Sequence, residues 1–90
     1  MRVNQRRSDV EIIAEMLRIG ANGAPQTRIM YNANMSYSQM KKYLSFLTNQ
    51  GYLDGVRTGH PSVTYHATER GLHLLKSIDG FIEVFGLHDD

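Results

Sequence analysis

The sequence predicts a small α+β domain, mostly helical, with three helices, a β-hairpin and an additional C-terminal helix. Three observations predict it. Residues 36–51 form a punctuated amphipathic segment, opened by a capping serine and closed by a glycine. A shorter helical pattern ends immediately before that serine. Two β-prone runs, separated by a stretch rich in glycine and proline, follow directly after it.

Ninety residues fit one domain, and a hydrophobic share of 41% supplies one modest core. With no cysteine, neither disulfides nor thiolate-bound zinc can contribute. No apolar run approaches the roughly 20 residues that span a bilayer. Met1 to Arg7 is polar and basic with no apolar segment behind it, so no secretory signal is expected and the default location is cytoplasmic. The net charge of +1 hides an asymmetry. Residues 1–68 carry eight basic and four acidic side chains, while residues 69–90 carry two basic and five acidic. Such a chain suits a basic body that holds nucleic acid and a second end that holds something else. A chance scatter of charge over a solvated surface would give the same count.

Taken in order, residues 1–7 read as a basic flexible arm. Arg6 and Arg7, with Arg2, could meet phosphate or a minor groove, though a frayed terminus is an equal expectation. Ser8-Asp-Val-Glu11 forms a capping box that starts the first helix. Val10, Ile13, Met16 and Leu17 make its expected inward stripe, with Ile12 and Ile19 at the margins. Gly20 to Gly23 ends that helix, and Pro25 keeps it from continuing.

A second helix over Thr27–Ala33 turns Ile29, Met30 and Ala33 inward and ends on Asn34. Ser36 then opens the third helix, so the pair reads as a helix-turn-helix. Met40, Leu44 and Leu47 recur at helical spacing, flanked by Tyr37, Tyr43 and Phe46. The opposite face carries Ser38, Lys41, Lys42, Ser45 and Asn49 without an acidic residue. Such a face can donate to phosphates and base edges, which makes it the recognition helix of a DNA-binding domain. Gln39 has two possible duties. It can complete a capping box with Ser36 or read adenine, and the sequence leaves both open.

After Gly51, residues 52–54 read as extended, Gly55–Ser62 as a turn, and Val63–Ala67 as a strand. A hairpin directly after a recognition helix is the wing of a winged helix-turn-helix. Arg57 and His60 are placed near its tip, and Arg28 near the DNA backbone. The domain therefore covers 8–68. His66 is expected to be a half-buried strand residue.

Thr68 caps a last helix over 69–86, and residues 87–90 form an acidic tail. Leu75, Ile78, Ile82 and Phe85 step as a coiled-coil seam, whereas Leu74, Phe81 and Val84 lie off it. The expected homodimer interface comprises Leu72, Leu75, Ile78, Phe81, Ile82 and Phe85. Gly80 interrupts the pattern, either to allow close helix approach or to mark a bend. No histidine pair has the i, i+4 spacing of a metal site, and no nucleotide-binding or nucleophile motif is present. Neither a cofactor, a metal nor a catalytic function is expected.

The run from Thr27 to Leu47, followed by Gly51-Tyr-Leu53 and by Tyr65-His-Ala-Thr-Glu-Arg-Gly71, resembles the archaeal winged-helix proteins described as predicted transcriptional regulators. That group includes small chromatin-associated DNA-binding proteins. The resemblance covers about residues 8–85. It implies a winged helix, a homodimer built through the C-terminal helix, and double-stranded DNA as partner. Its recognition surface maps to Ser36 through Ser45, its wing to Gly55 through Ser62, and its dimer helix to Leu72 through Phe85. The last helix here is shorter than the long antiparallel coiled coil of the chromatin type. Two other functions fit the same fold: a protein-binding winged helix without DNA, and a ligand-sensing repressor using apolar residues around the last helix.

Overall fold

In the computed structural model, residues 8–57, 59 and 62–85 are described; for Phe85 this covers the backbone alone. Arg6, Arg7, His60 and the acidic tail therefore lie outside the described residues. The elements in chain order are α1 (Asp9–Gly20), β1 (Ala24–Pro25), α2 (Gln26–Asn32), α3 (Tyr37–Asn49), β2 (Leu53–Arg57), β3 (Val63–Ala67) and α4 (Glu69–Phe85). Three antiparallel strands form one sheet in the order β1-β3-β2.

The capping box of α1 forms in both directions between Ser8 and Glu11. Its buried face differs from the expected stripe. Ile12 is 3% exposed and belongs to the core, whereas Val10 is 48% exposed. The apolar arc of α1 is wider than one stripe because α4 also packs along it, and the core takes the side nearer Ile12 and Met16.

β1 was not expected. Pro25 does more than stop a helix: it pairs with Thr64, and Ala24 with Tyr65, at the edge of the sheet. An edge strand tolerates a proline because it needs no donor on its outer side.

α2 and α3 end in the same way. Asn34 takes φ 55°, its amide donates to Tyr31 O, and that of Met35 donates to Met30 O. Gly51 takes φ 79°, its amide donates to Thr48 O, and that of Tyr52 donates to Leu47 O. Both are Schellman motifs, which satisfy carbonyls that a helix end would otherwise orphan. The core gathers Ile12, Met16 and Leu17 of α1, Ile29 and Ala33, Met40, Leu44 and Leu47 of α3, and Leu53 of β2.

The first turn of α4 is stitched to the end of α3. Thr68 Oγ1 donates to Gly51 O at 2.7 Å and accepts from the Gly71 amide at 3.0 Å. Arg70 donates from Nε to Gln50 O at 3.1 Å, and its guanidinium lies over the Tyr52 ring. α4 then runs through Gly80 without interruption. Arg18 of α1 pairs with Asp79 at 2.7 Å on the surface.

Candidate nucleic-acid interface

The third helix starts where its sequence says it should. Ser36 is extended (φ −74°, ψ 163°), and its hydroxyl accepts from the Gln39 amide at 3.1 Å. The reciprocal bond from the Ser36 amide to the Gln39 side chain does not form, so only half of the expected capping box is present. The Gln39 side chain, half-buried, is left out of the cap. Met40, Leu44 and Leu47 anchor the inner face.

Ser38, Lys41, Lys42, Ser45 and Asn49 are all exposed on the outer face. Two aromatic residues border it. Tyr37 is 58% exposed and Phe46 46% exposed, at the margins of the core stripe. The Lys41 ammonium sits 5.9 Å from the Tyr37 ring centroid. On the other margin, Lys42, Tyr43 and Phe46 share a cleft with Asp9 and Ile13 of α1. The Tyr43 hydroxyl donates to the Asp9 carboxylate there. This bond raises the Tyr43 phenol above its usual range, and burial and the Asp9 charge push the same way. Asp9 is thus an acidic neighbour on one flank of the basic face, which the α3 sequence alone could not show.

The wing departs from expectation at its first strand. β2 extends to Arg57, so Gly55, Val56 and Arg57 are paired strand residues opposite Tyr65, Thr64 and Val63. The expected turn over 55–62 therefore shrinks to residues beyond Arg57. Gly55 is small because of its neighbour: a Cβ there would lie 3.0 Å from the Tyr65 ring and 3.2 Å from Val63. Alternation puts Leu53, Gly55 and Arg57 on one face of the hairpin with Val63, Tyr65 and Ala67. The inner end of this face is the buried Leu53, and its outer end is the exposed Arg57. His66 is exposed on the opposite face rather than half-buried, and its ring covers Gly23.

Arg28 and Tyr31 are exposed on α2, Tyr31 at 77%. Between α3 and the hairpin lies a cleft of about 210 Å³ lined by Lys41, Leu44, Ser45, Thr48 and Tyr65. A second, of about 330 Å³, lies between Pro25, Gln26 and Thr27 on one side and Ser62, Val63 and Tyr65 on the other. Sequence reasoning missed Tyr65 and Thr48 as cleft residues. The alternation of β3 was the available signal for Tyr65.

At the far end, Leu75 and Leu74 pack against the chain's own core. Ile78 and Ile82 are half-buried beside Val10, Ser8 and Glu11 in an apolar groove of about 680 Å³. Phe81 also lines this groove and is 56% exposed, Val84 is 77% exposed, and Leu72 is 42% exposed. Leu75, Ile78 and Ile82 of the predicted seam thus turn toward the chain's own core and α1, and of the residues read as lying off it Leu74 is half-buried while Phe81 and Val84 are the open ones. Among the described residues, no group of three His, Asp or Glu side chains could hold a metal ion. No helix among them is long and apolar enough to cross a membrane.

A family model described as winged helix-turn-helix matches residues 6–85. The chain belongs to that family. An uncharacterized protein of Methanocaldococcus jannaschii is 32% identical over 80 residues, 88% of this chain and 77% of its own length. The crystal structure of Sso10a-2, a DNA-binding protein from Sulfolobus solfataricus, superposes with a TM-score of 0.80 at 31% identity, covering 89% of this chain and 83% of that one. The PcaV transcriptional regulator from Streptomyces coelicolor, solved with its natural ligand, gives a TM-score of 0.73 at 17% identity over 93% of this chain and 61% of its own. That last likeness is one of fold alone. Membership makes the hairpin of β2 and β3 the family's wing, and α2 with α3 its helix-turn-helix.

Proposed function

We propose that the chain binds double-stranded DNA as a homodimer, as a transcriptional regulator or an architectural protein. The outer face of α3 carries this reading: five polar or basic side chains exposed together on a helix without an acidic residue. The start of α3 enters the major groove. Ser38, Gln39, Lys42 and Ser45 face base edges or adjacent phosphates, and Lys41 and Arg28 neutralise phosphates. Ser36 keeps its hydroxyl proton for a phosphate while its oxygen caps the helix. Tyr37 borders the same surface. Arg57 reaches the backbone from the wing, and His60, Arg6 and Arg7, which lie outside the described residues, add donors and charge to the same surface. The Sulfolobus solfataricus neighbour, which is a DNA-binding protein, supports the same reading.

The dimer is built through α4. Ile78, Phe81 and Ile82 line an apolar groove that the chain's own α1 leaves open, and Val84 stands beside it. Leu72, Leu75 and Phe85 extend the same helix, with Leu75 already committed to its own core.

Anisotropy of a labelled mixed-sequence duplex across a salt series, with mass by light scattering in the same buffer, tests both parts. The expected outcome is binding whose log affinity falls linearly with log salt, by a protein of twice the chain mass. Lys41→Glu with Lys42→Glu should abolish most of that binding while helical content stays. A folded protein that ignores duplex DNA even at low salt would instead be a protein-binding winged helix.

A further inference from the structure

Tyr65 stands at the corner where three elements meet. It is the central residue of β3, the middle strand, opposite Ala24 on one side and Gly55 on the other. Its ring is the one wall shared by the α3 cleft with Lys41 and Ser45 and the α2 cleft with Gln26 and Thr27. On the inner face of the hairpin it lies between the pair of buried Leu53 with half-buried Ala67 and the outer Arg57–Val63 pair.

The ring is packed, half-buried over Gly55, but the hydroxyl is not used by the fold. Among the described residues no hydrogen bond reaches it. No buried side-chain polar atom lacks a partner, so this unpartnered oxygen lies at the surface. A tyrosine with an anchored ring and a free, accessible hydroxyl is a pre-positioned donor. The neighbouring hydroxyl of Thr48 is already spent on Leu44 O and Ser45 O.

We propose that Tyr65 is a phosphate-contacting residue of this surface, its hydroxyl donating to a DNA backbone phosphate seated between α2, α3 and the wing. The proposal rests on the DNA-binding reading above and adds a contact to it. Its signature differs from that of the cations. A neutral donor releases no counterion, so it strengthens binding without steepening the salt dependence.

The test uses the full chain and the same mixed-sequence duplex. Tyr65→Phe keeps the ring and removes only the donor. It should weaken binding roughly three- to ten-fold at every salt concentration, with an unchanged slope and an unchanged melting temperature. Lys41→Gln should lower the slope by about one. The double variant should lose the product of the two single losses, because the contacts are separate. Wild-type affinity in Tyr65→Phe would overturn the proposal. So would an effect that disappears in the Lys41→Gln background, since Tyr65 would then act only by positioning the lysine. A lowered melting temperature would place the hydroxyl within the fold and overturn it as well. A wild-type chain that does not bind the duplex would instead remove the DNA reading itself.

Discussion

At Gly71 the absence of one carbon permits a junction. A Cβ there would lie 2.1 Å from Tyr52 O, a backbone atom that cannot swing aside, and 3.2 Å from Leu17. That same carbonyl accepts the Thr68 amide at 3.0 Å. Gly71→Ala should therefore cost about 3 kcal/mol or more, as steric conflicts in well-packed sites do. Equilibrium denaturation measures it, and a loss under about 1 kcal/mol would show that the junction can yield. The Tyr43–Asp9 bond makes a gentler prediction. It joins α3 to the first turn of α1, and its partners are substantially exposed, so Tyr43→Phe should cost only about 1 kcal/mol at neutral pH. The folded-state phenol is raised above its ordinary value of 10.0. The stabilisation is thus complete below about pH 10 and lost as pH rises through the raised folded value. The gap between wild type and Tyr43→Phe should be the same at pH 7 and pH 9 and smaller at pH 11. A gap that widened at pH 11 would contradict this assignment.

Among the elements, α3 starts on a single side-chain cap. Ser36→Ala removes the acceptor for the Gln39 amide and should cost about 1 kcal/mol, read as a lowered melting temperature. The same change frays the turn that holds Ser38. The elements legible in the sequence were those with chemical punctuation. The Ser8 and Ser36 caps, the Asn34 and Gly51 stops and the Thr68 cap mark ends of all four helices directly, because each satisfies backbone groups locally. The string from Thr68 to Gly71 became intelligible only with the fold. Its threonine, arginine and glycine each answer a carbonyl of residues 50–52. The errors share a different physical cause. β1 is two residues long and has no periodicity, and its pairing with β3 spans forty residues of chain. Gly55 read as a turn because its size serves Tyr65 across the strand pair, a tertiary fact. Val10 and Ile12 exchanged places because α1 is covered from two sides, and a single-stripe argument cannot choose between them. In the candidate site, the α3 face was legible as surface chemistry. Asp9 and Tyr65 were not, since each joins the surface through an element distant in sequence.

Over the whole molecule, α4 is the element on which the proposed dimer depends. The chain extends 46 × 27 × 19 Å, and α4 runs from the core at Leu74 and Leu75 toward an open end at Phe81 and Val84. Gly80 sits in that open part, and apart from its own helix backbone and chain neighbours no described atom lies within 4 Å of where its Cβ would be. A glycine inside a helix costs roughly 1 kcal/mol against alanine, and no close contact among the described residues repays it. A second copy of the helix would: two backbones approach closely only where a residue carries no side chain. The two situations give opposite results for one substitution. If α4 pairs with α4 at this point, Gly80→Ala should make the isolated chain about 1 kcal/mol more stable by helix propensity yet weaken self-association, seen as a falling mass on dilution. Ile78→Asp with Ile82→Asp should go further and leave a monomer at all concentrations, since two buried charges cannot be accommodated in the groove beside Val10. A Gly80→Ala protein that is more stable and keeps its mass on dilution would move the interface away from Gly80. An unchanged mass in the double aspartate variant would remove α4 as the dimer element.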